Sequence, residues 1–282
     1  MNSSVVYTPS RLAVAGKAFF AWLDKLFPTL VVKRLFEVSF GLYRVIIRIA
    51  YLRHWLRALL SGDRDERIKA ATVFKVMPYS LVGWRGLEAT YDAVTATQKA
   101  GLPGAIVECG VARGGSAALM ALVEKRSASQ RKLWLFDSYE GLPDPTVEDI
   151  RDNATGKHVR PLPKGSCLGT FDEVAKLLFD TLHLDRSYIA MIKGWFENTL
   201  PATRASIGAI AVLRIDADWY ESVKCCLENL YDQVLPGGYV IIDDYGSCFG
   251  AQKAVDEFLS QHEIAVNLFA DGRGGCHFVK PS

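Results

Sequence analysis

Two apolar runs in this chain end in pairs of carboxylates. Ala209-Ile210-Ala211-Val212-Leu213-Arg214-Ile215 closes in Asp216-Ala217-Asp218, and Tyr239-Val240-Ile241-Ile242 closes in Asp243-Asp244. Between them lie a helix-like segment, Trp219 to Val234, and a turn, Leu235-Pro236-Gly237-Gly238. Short branched runs closed by polar residues read as buried strands of a parallel sheet, with the helix as crossover. Ligands of such sheets collect outside the carboxyl ends of the strands. Read as a group without a basic partner, four acids so placed repel one another unless protonated or bound to a cation. Oxygen donors of that kind suit a hard divalent metal. Asp216 and Asp218 are two residues apart and face the same way along a strand. A helix-capping role is open to Asp218 but leaves Asp243-Asp244 unexplained. Glu221 is a candidate to orient the ligands.

A second constellation is the glycine turn. Ala105-Ile106-Val107-Glu108-Cys109-Gly110-Val111-Ala112-Arg113-Gly114-Gly115-Ser116 reads as a strand, a glycine-rich turn and the start of a helix. Glycine lets a backbone turn tightly and approach a ligand, and the helix amino terminus attracts anionic groups. A following strand, Leu133-Trp134-Leu135-Phe136, ends in Asp137, where an acid that holds ribose hydroxyls is expected. A nucleoside-containing cofactor fits this pair of features. The alternative is a glycine required only by packing.

To hold these groups the chain must alternate strand and helix, the pattern of an α/β doubly wound sheet. The sequence predicts strands over 105–109, 132–137, 188–193, 209–215 and 238–243, with a last pair over 263–269 and 275–279. Helices are predicted over 82–99, 115–126, 171–182, 221–233 and 251–261. The stretch 140–166, rich in Pro, Gly, Asp and Lys, is expected to be a lid or mobile loop.

The net charge of +2 argues against general nucleic-acid binding but conceals an asymmetry. Residues 1–60 hold nine Lys/Arg against two Asp/Glu, while the rest holds 24 against 29. A basic arm is joined to an acidic body. No apolar run in the arm approaches the ~18 residues of a spanning helix, and Met1 to Ser4 lack the charged start of a secretory signal. Pro28 and Gly41 are expected to split the arm into two or three helices. These either lie on an anionic membrane surface or pack on the body or a second subunit. Arg44 and Arg48 fall on one helical face and Arg53 and Arg57 roughly opposite, so no clean basic stripe is read. The charged stretch 61–67 is taken as the boundary, giving an arm over 1–68 and a body over 69–282. Six cysteines without paired-ligand spacing read as free thiols of a reducing cytosol rather than a zinc site.

The spacing Glu108-x-Gly110-x-x-x-Gly114 departs from the dinucleotide pattern and resembles the first motif of S-adenosylmethionine-dependent methyltransferases. The likeness extends further. Gly110-Val111-Ala112-Arg113-Gly114-Gly115, Phe136-Asp137-Ser138-Tyr139-Glu140-Gly141-Leu142-Pro143, Lys193 to Pro201, Leu213 to Ser222 and Pro236 to Gly246 together resemble the macrocin O-methyltransferase family, over roughly residues 75–280. The resemblance implies a class I, Rossmann-like methyltransferase with a mostly parallel seven-stranded sheet and, here, a helical N-terminal arm. It implies cofactor binding by Glu108, Gly110, Gly114, Gly115 and Asp137, and the neighbouring Ser116 and Ser138 and, past a strand end, Trp195 are further candidates. It further implies magnesium (Mg2+) on Asp216, Asp243 and Asp244, and Asp218 as the general base. The implied substrate is a glycoside or other diol. A cytoplasmic homo-oligomer is the expected setting, with membrane contact open to residues 1–60. Two departures are an alanine, Ala217, where the family commonly has glycine, and an unfamiliar loop over 144–166. A nicotinamide-dependent dehydrogenase could use the same sheet but needs neither the acid pairs nor this glycine spacing. A non-catalytic cofactor-binding scaffold has no reason to keep four acids together. Trp195 and Phe196 are assigned equally to adenine contact and to core packing, Arg113 to cofactor steering or solvent, and His158, His183 and His277 to no chemistry.

Overall fold

The computed structural model describes residues 29–127, 131–151 and 161–282, with side chains from residue 45 onward. Seven strands form one sheet among the described residues: β1 (Ala105–Cys109), β2 (Leu133–Asp137), β3 (Ile189–Lys193), β4 (Ile210–Ile215), β5 (Val234–Ile242), β6 (Phe269–Ala270) and β7 (Cys276–Val279). Their order is β3-β2-β1-β4-β5-β7-β6. Strands β1 to β5 pair in parallel and β7 is antiparallel to both β5 and β6. The order reverses between β1 and β4, the position at which such sheets open a crevice for ligands.

Alternation along each strand divides the interior into two cores. Ile106, Leu133, Leu135, Val212 and Ile241 join one, and Val107, Trp134, Phe136, Leu213, Ile215, Val240 and Ile242 join the other. Carried to the strand ends, the same alternation puts Glu108, Asp137, Arg214, Asp216 and Asp243 on the face of the first core. That face is covered by α1 (Thr29–Leu60), α2 (Arg64–Val76), α3 (Trp84–Lys99) and α4 (Gly115–Glu124). The second is covered by α7 (Phe196–Ile207), α8 (Tyr220–Leu230) and α9 (Phe249–Gln261). Between them in sequence come α5 (Val147–Ile150) and α6 (Phe171–Ala175), the latter continued by a π segment over Lys176–Thr181.

Several expectations are corrected. Gly41 does not break the arm, because α1 runs through it; an interior glycine costs a helix only about 1 kcal/mol relative to alanine. Pro28 lies outside the described residues. The charged stretch after α1 is a short bend, and its far half is the first turn of α2, capped by Asp63. The end of α1 packs on the body, one of the placements left open for the arm, with the Tyr51 hydroxyl donating to Glu88 of α3 at 2.8 Å and Trp55 stacked on Phe74. The Pro236-Gly237-Gly238 turn is an irregularity within β5, where pairing jumps from Ile210↔Val234 to Val212↔Tyr239. The strand expected over 263–269 shrinks to Phe269–Ala270. Ile264, Val266 and Leu268 pack on the second core instead, so their period-two pattern records burial without a ladder. Helix 171–182 is α6 plus the π segment.

Candidate active site

The described part of the long loop after β2 is built in rather than loose. Asp149 of α5 is 2 % exposed. Its Oδ2 accepts from the Thr146 backbone and hydroxyl, and its Oδ1 accepts from the backbone N–H of Tyr220 at 2.8 Å. Asp149 thus caps α8, the task left open for Asp218. Further on, Gly169 sits against the Ala112 carbonyl, too close for a Cβ. Residues 152–160, with His158, lie outside the described residues.

The acids do converge. One carboxylate oxygen each from Asp216, Asp243 and Asp244 lie within 4.8 Å of one another, and Asp218 and Asp244 meet the Cys248 thiol within the same span. Burial, then Asp243, pushes the Asp216 carboxyl above the usual range. Burial, then Asp244, does the same to Asp218, and burial, then Asp243, to Asp244. Burial opposes ionisation of Asp243 too, but Arg273 and Arg214 outweigh it and hold that carboxyl low.

Those two guanidinium groups overturn the reading of a cluster without bases. Arg214 is fully buried in β4, two residues before Asp216 and so on the same face. It donates to Asp216 Oδ2 at 2.9 Å and Asp243 Oδ1 at 2.6 Å, and lies 3.5 Å from Glu108 Oε1. The turn between β6 and β7 supplies Arg273, whose Nη1 donates to Asp243 Oδ2 at 2.7 Å. Asp271 Oδ1 fixes that turn by accepting from the backbone N–H groups of Arg273, Gly274 and Gly275. A lone arginine in an apolar run was itself the missed signal, since a buried one must be paired. Arg273 left no such signal, because its position depends on a turn far along the chain.

The glycine turn abuts this cluster. Gly110 has φ 88°, and a Cβ there would collide with the Asp216 carbonyl, so glycine brings the end of β1 against the end of β4. At Gly115 a Cβ would strike the backbone of Ser80. Close packing therefore requires glycine at both positions, whatever ligand the turn also admits. Gly114 starts α4 in a left-handed conformation without a side-chain cap, which leaves first-turn N–H groups near the buried Ser116 without a capping side chain.

The other site residues are placed as follows. Asp137 clasps the turn: Oδ2 accepts from the Val111 and Ala112 N–H groups at 2.7 and 3.0 Å, and Oδ1 from Tyr139 at 2.6 Å. A carboxylate offers about four acceptor positions, so one remains. Glu108 is 1 % exposed, faces Arg214, and leaves Oε2 without a hydrogen-bond partner. Burial pushes its carboxyl up to about 8, against the pull of Arg214. It lies beneath the site rather than on its surface. Ser138 is buried, accepting from Glu140 N–H and donating to the Gly141 carbonyl. Trp195 is half-buried just before α7, while Phe196 packs on the second core. Ala217 is buried in that same core without a left-handed backbone, so the departure from glycine is absorbed. Asp218 has φ 55°, a left-handed conformation that Asp tolerates better than most residues. Arg113 and His183 are exposed, and His277 is stacked between Tyr239 and Phe269. None of the six cysteines is in a disulfide.

Comparison with known proteins agrees with this geometry. The demethyldecarbamoylnovobiocin O-methyltransferase of Streptomyces niveus is 35 % identical over 222 residues, covering 78 % of this chain and 82 % of that protein. The 8-demethyl-8-(2,3-dimethoxy-alpha-L-rhamnosyl)-tetracenomycin-C 4'-O-methyltransferase of Streptomyces olivaceus is 33 % identical over 214 residues, covering 75 % and 79 %. The solved structure of the O-methyltransferase NovP superposes with a TM-score of 0.62 at 33 % identity, over 72 % of this chain and 83 % of that one. The dehydrogenase alternative finds no support among these relatives. Residues 41–278 match the macrocin-O-methyltransferase (TylF) family, and the chain belongs to that family of O-methyltransferases.

Proposed function

We propose that the chain transfers a methyl group from S-adenosylmethionine to a sugar hydroxyl of a glycosylated small molecule, with magnesium held at the acid cluster. The observation that carries this reading is the meeting of Asp216, Asp243 and Asp244 within 4.8 Å, beside the glycine turn. The donor set fits magnesium: it is all oxygen, it comes from two adjacent strands, and its acids are pushed toward protonation when no ion offsets their charge. Both Asp243 oxygens already accept a guanidinium, so this ligand would use the lone pairs that remain. When bound, magnesium lowers the pKa of a coordinated hydroxyl by several units, and S-adenosylmethionine supplies the methyl group.

The chain's own residues do the rest. The turn from Gly110 to Ser116 would take the amino acid end of the cofactor on the uncapped amino terminus of α4. Asp137 would give its remaining acceptor position to the ribose, and Trp195 would flank the base. Glu108 acts through Arg214, and Ser138 through the shape of its turn. Arg214 fixes the Asp216 and Asp243 carboxylates in place, so their directions do not depend on the ion. Asp218 stands beside Asp244, and the raised affinity of its carboxyl for a proton is what a base for an alcohol requires. In-line transfer needs the sulfur, methyl and oxygen held in a row, and the β1, β4 and β5 ends bracket the space for it.

The relative from Streptomyces olivaceus, named for 4'-O-methylation of a tetracenomycin that carries a rhamnosyl group, supports the glycoside as acceptor class. A cytoplasmic setting and a homo-oligomer belong to the same proposal. Six cysteines without a disulfide suit a reducing compartment, and light scattering measures the assembly. The test is methyl transfer to candidate glycosides with and without chelator, together with Asp243→Asn and Asp218→Asn. Loss of turnover in chelator and in both variants is expected; full activity in chelator refutes the metal role. Thermal stabilisation by S-adenosylmethionine, measured separately, tests the cofactor.

A further inference from the structure

The outer face of α1 has a pattern that catalysis does not explain. Ile47, Tyr51, Trp55 and Ala58 turn toward the body, where Tyr51 and Ala58 are buried. On the opposite side Val45, Ile49, Leu52, Leu56 and Leu59 recur in steps of four and three residues and make one continuous stripe. Four of these five are large exposed hydrophobics, Ile49 at 62 %, and Ile46 and Leu60 widen the stripe at 55 % and 87 %. Half of the twelve large exposed hydrophobics among the described residues fall in this one helix, and a contiguous apolar patch marks an interaction surface.

Charge identifies the partner. Arg48 borders the stripe on one side, its guanidinium over the Phe74 ring at 4.6 Å. Arg53 and Arg57, one turn apart and exposed, border it on the other. Bases that look scattered in the sequence are thus the two margins of one apolar band. No acid occurs from residue 45 to 62. A second copy laid on this face would set arginines against arginines with no carboxylate between them. A surface of anionic headgroups over acyl chains matches both parts of the pattern: apolar side chains sink into it, and arginines reach the phosphates from the margins. No helix among the described residues is long and apolar enough to cross a membrane, which fits a helix that lies on one.

We propose that the outer face of α1 docks the enzyme on an anionic membrane surface. The test is co-sedimentation of the full chain with vesicles of phosphatidylcholine alone and of phosphatidylcholine with phosphatidylglycerol. Binding is expected to the anionic vesicles and to weaken with salt. Ile49→Glu with Leu56→Glu should abolish it. Arg53→Glu with Arg57→Glu should weaken it more than tenfold, each base being worth about fivefold near such a surface. All four side chains are exposed or border the stripe, so melting temperature and methyl transfer in solution should not change. A wild-type chain that stays in the supernatant overturns the proposal, as does equal binding to both vesicle types. So does a dimer, seen by light scattering, that Ile49→Glu with Leu56→Glu splits, because the stripe would then belong to a second copy.

Discussion

Arg214→Leu is the substitution that most directly probes the charge arrangement. It removes two hydrogen bonds to carboxylates, at 2.6 and 2.9 Å, from a side chain with no solvent exposure. Bonds to charged groups contribute roughly 1.5–3 kcal/mol each, and removing one partner of a buried ion pair costs about 3–5 kcal/mol. Leucine recovers part of this by burying apolar surface, at most about 2 kcal/mol, so a net loss near 3 kcal/mol is expected. A domain stable by roughly 5–15 kcal/mol survives that loss, with a fall in Tm of about 6–12 °C at 2–4 °C per kcal/mol. Urea unfolding in chelator measures it. The sign with pH follows from the acids. Glu108 and Asp216 already have raised folded values, and losing Arg214 raises them further. A raised carboxyl costs stability as pH climbs above its unfolded value, so the deficit should be smaller at pH 5 than at pH 8. A loss below about 1 kcal/mol at pH 8 would refute the claim that this guanidinium holds the acids.

Three further outcomes follow from single contacts. Glu108→Gln removes a carboxyl raised to about 8 from an unfolded value near 4.5, so stability that the wild type loses between those pH values should be retained; calorimetry at pH 5 and 8 checks it, and equal slopes would count against the assignment. Gly110→Ala forces a Cβ into the Asp216 carbonyl at φ 88°; we expect a loss of several kcal/mol, on the scale of strain plus overpacking, with methyl transfer falling in parallel, read by unfolding and turnover. Asp149→Ala uncaps α8 and should cost about 1–2 kcal/mol, and the preceding loop should become more sensitive to protease than in the wild type.

The sheet and the acid positions were legible because both follow from local alternation. Apolar residues two apart must share a face, and a carboxylate inside such a run needs a buried partner, as Glu108 has in Arg214, so most strand ends declare themselves, at Asp137, Asp216 and Asp243. What was not legible depended on contacts between distant segments. Asp149 reads as one more polar loop residue until the loop reaches Tyr220. Arg273 reads as part of a glycine-rich turn until β7 brings it to Asp243. Arg214 is visible in the sequence, but a single base in a hydrophobic run looks like an exception to the pattern when it is the partner the acids need. Gly110 pointed to the right turn for a mixed reason: its missing Cβ makes room for the Asp216 backbone, whatever cofactor the turn also admits. The arm misled by its bases, whose order makes sense only once the docked face of α1 is known.

Taken together, these contacts explain how such a cluster exists in a folded protein before any ion arrives. Five carboxylates, Glu108, Asp216, Asp218, Asp243 and Asp244, gather at the ends of three adjacent strands. Arg214 meets them from inside the sheet and Arg273 from the rim, which leaves the group short of positive charge by about three units if all five ionise. The shortfall is divided unevenly. Asp243, gripped by both guanidinium groups, stays ionised, while Asp216, Asp218 and Asp244 are pushed toward their protonated forms. Asp216, Asp243 and Asp244 would therefore offer a bound dication one ligand that is already ionised and two whose protons it would displace. On that logic metal binding should release protons and tighten with rising pH. Calorimetric titration with magnesium in buffers of different ionisation enthalpy measures the release, and binding with no proton loss would show that the acids were ionised from the start.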